Sequence, residues 1–86
     1  MQTTNYKMLF EPVTAQKQIS AEGCNAILFF NIGSTTAYVN NIPIPAGASI
    51  SFNGNCHERD TTNYDIRFAT GAGSSLSVVR KINEEK

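Results

Sequence analysis

The sequence predicts an all-β protein: a single small β-sandwich or jelly-roll-like barrel of about seven short antiparallel strands. Three observations lead there. In residues 61–68 (TTNYDIRF), Tyr64, Ile66 and Phe68 fall on one side of an extended strand and Asp65 and Arg67 on the other, which is the two-residue period of a half-buried strand. Residues 48–52 (ASISF) repeat that rhythm, and no long stretch keeps the period of an amphipathic helix. Turn-forming residues recur about every 8–12 positions, the spacing of small sandwiches.

The elements follow in order. A first strand is expected over residues 6–10, stopped at Pro12, which has no N–H to give a ladder. Residues 13–19 make a second, with Lys17 as the guarding charge of an edge strand beside Val13, Ala15 and Ile19. The alternative for residues 13–22 is a helix, since Ala, Gln, Lys and Glu favour one. After a polar turn, residues 25–32 (NAILFFNI) form the most apolar segment. Leu28, Phe30 and Ile32 fill one face of that strand, Ile27 and Phe29 the other. A sandwich strand turns only one face into the core, and leaving Ile27 and Phe29 in water would forgo ~3–5 kcal/mol. That pair therefore calls for cover from the N-terminal arm or from a neighbouring subunit.

Gly33 and Ser34 turn the chain, residues 35–39 return as a strand, and Asn40-Asn41 tolerates the positive φ of a tight hairpin. Ile42-Pro43-Ile44-Pro45 is extended by its prolines and implies a sheet edge. Ala46-Gly47 turns it into the 48–52 strand. A polar loop leads to the 61–68 strand, residues 70–74 close it, and the last strand spans 76–82. Adjacent Val78 and Val79 break its rhythm, as a β-bulge or a strand covered on both sides would. Residues 1–5 and 83–86 are expected to be flexible ends of one domain spanning 1–86.

A chain of 86 residues buries only about 60–65% of its unfolded surface, enough for one thin core. Apolar residues are 41% and charged residues 16%, so Ser, Thr, Asn and Gly must make up much of the surface. Seven basic and seven acidic residues cancel, removing the positive footprint that nucleic-acid binding needs. No apolar run reaches the ~20 residues of a membrane span, and the first residues lack the basic-then-apolar order of a secretory signal. The expectation is a soluble chain with neither nucleic acid nor membrane as partner. Cys24 and Cys56 lie at no framework spacing, so two separate thiols in a reducing cytoplasm are favoured over a disulfide.

Site chemistry is sparse. Cys56-His57-Glu58-Arg59-Asp60 gathers the reactive side chains, but sequence neighbours on an extended loop point in opposite directions, which defeats a Cys–His nucleophile pair. Cys24, Cys56 and His57 are three ligands at no zinc spacing. Arg59 and Arg67 neutralise the field that Glu58, Asp60 and Asp65 would offer a hard cation. The reading is a non-enzymatic protein without cofactor or metal. Tyr6, Tyr38 and Tyr64 raise an alternative, a small glycan- or ligand-binding module using Tyr38 and the loops around residues 53–59. Tyr64 itself falls on the core side, its hydroxyl reaching the rim.

Three strings carry a family likeness: Asn31-Ile32-Gly33, residues 37–52 (AYVNNIPIPAGASISF) and residues 60–68 (DTTNYDIRF). Together they resemble small β-rich structural proteins of tailed bacteriophage particles, of the head decoration, auxiliary capsid and fibre-base type. The resemblance implies a virion component, folded in the bacterial host cytoplasm and acting by contact with copies of itself or with a capsid shell protein. The interface expected on this reading is Ile27 and Phe29 together with the edge Ile42, Pro43, Ile44 and Pro45, in a homo-oligomer for which a three-fold axis is one arrangement.

Overall fold

A computed structural model describes residues 5–54 and 59–84. Among them there is no helix, so the helical alternative for residues 13–22 falls. The strands are β1 (Asn5–Val13), β2 (Lys17–Ser20), β3 (Ala26–Asn31), β4 (Ala37–Val39), β5 (Ile42–Ile44), β6 (Ser49–Asn53), β7 (Asn63–Phe68) and β8 (Leu76–Glu84). All pairings are antiparallel and nested: β1 with β8, β2 with β7, β3 with β6, β4 with β5. Further pairing of β3 with β8 and β4 with β7 gives two four-stranded sheets, β1-β8-β3-β6 (sheet A) and β2-β7-β4-β5 (sheet B). This is the winding of a jelly roll, a long folded hairpin wrapped into two layers. Among the described residues the strands number eight, because residues 42–44 form a strand of their own.

The inner faces meet in one core of Val13, Ile19, Ile27, Phe29, Val39, Ile44, Tyr64, Ile66, Leu76 and Val78. Phe29 lies edge-on to Tyr64 at 5.1 Å and to Phe52 at 6.4 Å, the geometry that aromatic quadrupoles favour. The Tyr64 hydroxyl donates to Asp60 Oδ2 at 2.5 Å, reaching the rim as the alternation implies. At the hairpin, Asn40 and Asn41 take φ of 48° and 70°.

Three local expectations change. β1 runs through Pro12 to Val13, because it is the outer strand of sheet A and a missing N–H is tolerated at an edge. β8 keeps an unbroken register from Leu76 to Glu84, so Val78 and Val79 face opposite ways without a bulge. Most consequential, Ile27 and Phe29 point into the chain's own core, 1% and 0% exposed. The reason lies one pleat further on. Asn31 shares their face and is buried, its Nδ2 donating to the carbonyls of Thr35 and Ile44, each at 2.8 Å, while its Oδ1 accepts from the Gly33 N–H at 3.0 Å. With all its polar atoms partnered, the amide is a core residue and fixes which side of β3 looks inward. Gly33 is required there: a Cβ would lie 2.3 Å from the Gly73 carbonyl oxygen.

A second buried polar group orients β1 and β8. Arg80 is inside the sandwich, donating through Nε and Nη2 to the Ser20 carbonyl at 3.0 and 2.8 Å and pairing with Glu11 at 2.9 Å. Glu11 also pairs with Lys17 at 2.8 Å. The Lys17 ammonium, and then Arg80, hold the Glu11 carboxyl below its ordinary range against partial burial. This network turns Lys7, Leu9 and Glu11 toward the inner side of β1 and leaves Tyr6, Met8 and Phe10 outside.

Candidate functional site

With β3 oriented by Asn31 and β1 by Glu11 and Arg80, the outer face of sheet A becomes apolar. The register aligns Phe10, Val79 and Leu28 in one row across β1, β8 and β3, with Met8, Lys81 and Ala26 in the next. Phe30 and Ile32 continue the face along β3 and past its end. Phe10 is 72% exposed, Ile32 59% and Phe30 39%, with Tyr6 and Met8 exposed beside them. Leu28 and Val79 are half-buried. Toward β6 the face turns polar at Ser49 and Ser51, which oppose Phe30 and Leu28. Among the described residues the one ammonium on the face is that of Lys81, which sits 5.0 Å from the centroid of the Tyr6 ring, a cation–π contact that draws it toward the end of the strands.

The outer face of sheet B is different in kind. Gln18 opposes Asp65, and Tyr38 lies between Arg67 and Pro43. A depression of about 710 Å³ opens there, lined by Gln16, Gln18, Asn40, Asn41, Asp65 and Arg67. Its polar groups bond largely to one another. The Asp65 N–H donates to Asn40 Oδ1 at 2.8 Å, and the Arg67 guanidinium donates to Asn41 Oδ1.

The expected interface residues separate in space. Ile27 and Phe29 are core and offer nothing to a neighbour, because the face of β3 opposite to the expected one is the exposed face. Ile44 is buried as well, on the inner side of β5. Ile42 and Pro43 are exposed on β5, which is the edge of sheet B as its proline implies, and Pro45 is exposed just past the end of the strand. They lie in the other sheet from Phe10, Phe30 and Ile32, so the six residues form no single patch. What the sequence reading left open was which side of the 6–10 strand, Tyr6, Met8 and Phe10 or Lys7 and Leu9, faces outward. Its signal is Arg80, which shares parity with Leu76 and Val78 and needs a carboxylate that only the Glu11 face of β1 supplies.

Asn55 through Glu58, and with them the Cys56-His57 cluster, lie outside the described residues. Among the described residues no three His, Cys, Asp or Glu side chains are grouped to hold a metal ion. Cys24 is a free, buried thiol, raised by burial and then by the nearby Asp60 charge, which opposes thiolate chemistry. Asp60 is pushed up by burial, but hydrogen bonds from Thr62 and Tyr64 outweigh this and hold it low. Comparison with protein-family models, with curated proteins and with solved structures finds no match.

Proposed function

We propose that the protein is a non-enzymatic structural component that works by protein–protein contact through the outer face of sheet A, as a capsid decoration or auxiliary part of a phage particle. One observation carries the contact reading: the two outer faces of the same sandwich are unlike, one apolar over β1, β8 and β3, the other polar. Scattered exposed hydrophobic residues are ordinary on a soluble protein, whereas a contiguous group on one flat face marks a surface that another molecule covers. The particle reading rests on the resemblance in residues 31–33, 37–52 and 60–68. The jelly-roll winding is compatible with it, being used in viral capsid and lectin domains alike.

Quantitative mass spectrometry of gradient-purified phage particles tests it. The chain should be found in the particle fraction at a fixed ratio to the shell protein; its presence only in the soluble fraction would overturn the particle role. A second reading, a glycan- or ligand-binding module, is favoured by the depression on sheet B, whose Gln, Asn, Asp and Arg lining offers hydrogen bonds suited to hydroxyl groups. Glycan-array binding that Arg67→Ala abolishes would support that reading instead.

A further inference from the structure

β6 lies at the margin of sheet A and is joined on one side only, to β3. Just beyond its two ends, the Gly54 N–H donates to the Asn25 carbonyl at 2.8 Å and the Asn31 N–H donates to the Ala48 carbonyl at 2.9 Å. Those two bonds set the phase of the ladder. Backbone groups alternate sides along a strand, so Ile50 and Phe52 turn their N–H and C=O toward β3, while those of Ser49, Ser51 and Asn53 point away from the sheet. Among the described residues nothing bonds to these outward groups.

The other sheet edges among the described residues are closed. β1 carries Lys7, Glu11 and Pro12, β2 carries Lys17, and β5 is three residues long around Pro43. Charge, proline and brevity each deter a further strand. β6 (SISFN) has neither proline nor charge over its five residues, an ordinary length for a paired strand. We propose that β6 is a docking edge that takes an extended segment of another protein as a fifth strand of sheet A, with a carboxylate side chain of that segment seated beside Arg59.

The carboxylate follows from a hollow of about 190 Å³ at the end of this edge, lined by Asn25, Phe52, Asn53, Gly54, Arg59 and Asp60. Phe52 opposes Ile27 on the inner side of the sheet yet stays 37% exposed, because no strand lies beyond β6 to cover it. Its ring stacks on that of Tyr64 at 6.0 Å. A residue placed opposite Phe52 on an added strand turns its side chain to this same side, toward the hollow. The two charges there are unequally engaged. Asp60 accepts from the Thr62 N–H at 2.8 Å and from the Tyr64 hydroxyl, whereas Arg59 is exposed and has no partner among the described residues. A guanidinium fork is matched by a carboxylate through two parallel bonds. Main-chain bonds to Ser49, Ser51 and Asn53 would then give affinity and the hollow specificity, the division found wherever a peptide extends a sheet. This contact goes beyond the apolar face and does not depend on what covers that face.

Synthetic peptides that alternate Thr and Val around one varied central residue serve as the probe, with binding read by fluorescence anisotropy and the site by amide hydrogen exchange. Peptides with a central Asp or Glu should bind, and should slow exchange at Ser49, Ser51 and Asn53 while leaving β2 and β5 unchanged. Ser51→Pro removes an outward N–H and no bond of the ladder, so it should keep the wild-type circular dichroism and weaken binding ~10-fold or more. Arg59→Glu should move the preference from a central Asp to a central Lys. Binding that leaves the three amides unprotected, or that is indifferent to Ser51→Pro, would overturn the proposal, as would the absence of binding by every peptide at about 1 mM. Protection of the same amides that rises with protein concentration alone would put a second copy's strand at the edge and overturn the acidic segment. Phe10→Asp should leave peptide binding unchanged, so a failure of the apolar face and a failure of the edge are read separately.

Discussion

Replacing Phe29 by alanine should cost about 4 kcal/mol of stability, whereas replacing Phe10 should cost less than about 1 kcal/mol. Phe29 is 0% exposed and held between Tyr64 and Phe52, with Val78 and Ile50 opposite it on the neighbouring strands. Truncation removes the transfer energy of a whole ring and two edge-to-face contacts of ~0.5–1.5 kcal/mol each, and leaves a cavity that flat sheets collapse into poorly. Phe10 keeps only about a quarter of its surface covered, so its alanine variant forfeits a like fraction of the ~2–3 kcal/mol that full burial provides. For a domain of this size the whole stability is about 4–13 kcal/mol, and 1 kcal/mol moves the melting temperature by ~4–8 °C. Urea titration and thermal melts, both followed by far-UV circular dichroism, read the two variants. Phe29→Ala should lose 15 °C or more of Tm, on the order of the lower bound of that conversion, and Phe10→Ala should shift it by only a few degrees. Equal shifts, or a Phe29→Ala protein that melts normally and fails only to associate, would refute the assignment of the inner and outer faces of sheet A.

Asn31→Asp puts a carboxylate against the Thr35 and Ile44 carbonyls and should cost about 3 kcal/mol, read by the same titration. Because the folded carboxyls of Glu11 and Asp60 lie below their ordinary 4.5 and 3.8, the stability they contribute is present above those values. It is lost as pH falls through the depressed ones, so Tm should drop below about pH 4.5, and Glu11→Gln should flatten the start of that limb. Tyr64 behaves in the opposite sense: burial and then the bond to Asp60 push it up from 10.0 to about 12. Its contribution is present below pH 10 and lost as pH rises toward 12, so Tyr64→Phe should remove that alkaline slope in thermal melts.

The fold was legible where alternation was clean. β7 announces its inner face, Tyr64 and Ile66, and the Asn40-Asn41 hairpin and the proline-marked edge at β5 follow from backbone chemistry that no tertiary contact overrides. β3 was legible as a strand with two apolar faces, but not as to which face is the core. The apolar residues are nearly balanced, so the choice falls to a polar one. Asn31 reads as a solvent marker until the loop at residues 33–35 and the end of β5 are brought to it, and those partners are set by long-range pairing. Arg80 misleads β1 in the same way. A charge in an apolar strand suggests an outer face, whereas here Ser20 and Glu11 satisfy it within.

The same two residues make folding and association separable. Asn31 and Arg80 commit one side of sheet A to the core, and everything on the opposite side is left out of the folding balance except for its modest partial burial. Phe10, Phe30 and Ile32 can thus be charged without opening a cavity, while Ile27 and Phe29 cannot. Strand β3 alternates between the two tasks residue by residue, so a double variant tests the separation directly. Phe29→Leu should lower Tm and leave the association constant per folded molecule unchanged, and Ile32→Asp should do the reverse. The two effects on stability should add within ~0.5 kcal/mol, since the side chains lie on opposite faces of the sheet. Coupling well beyond that margin would mean that docking and core packing are one event, and that the outer face of sheet A is part of what holds the sandwich together.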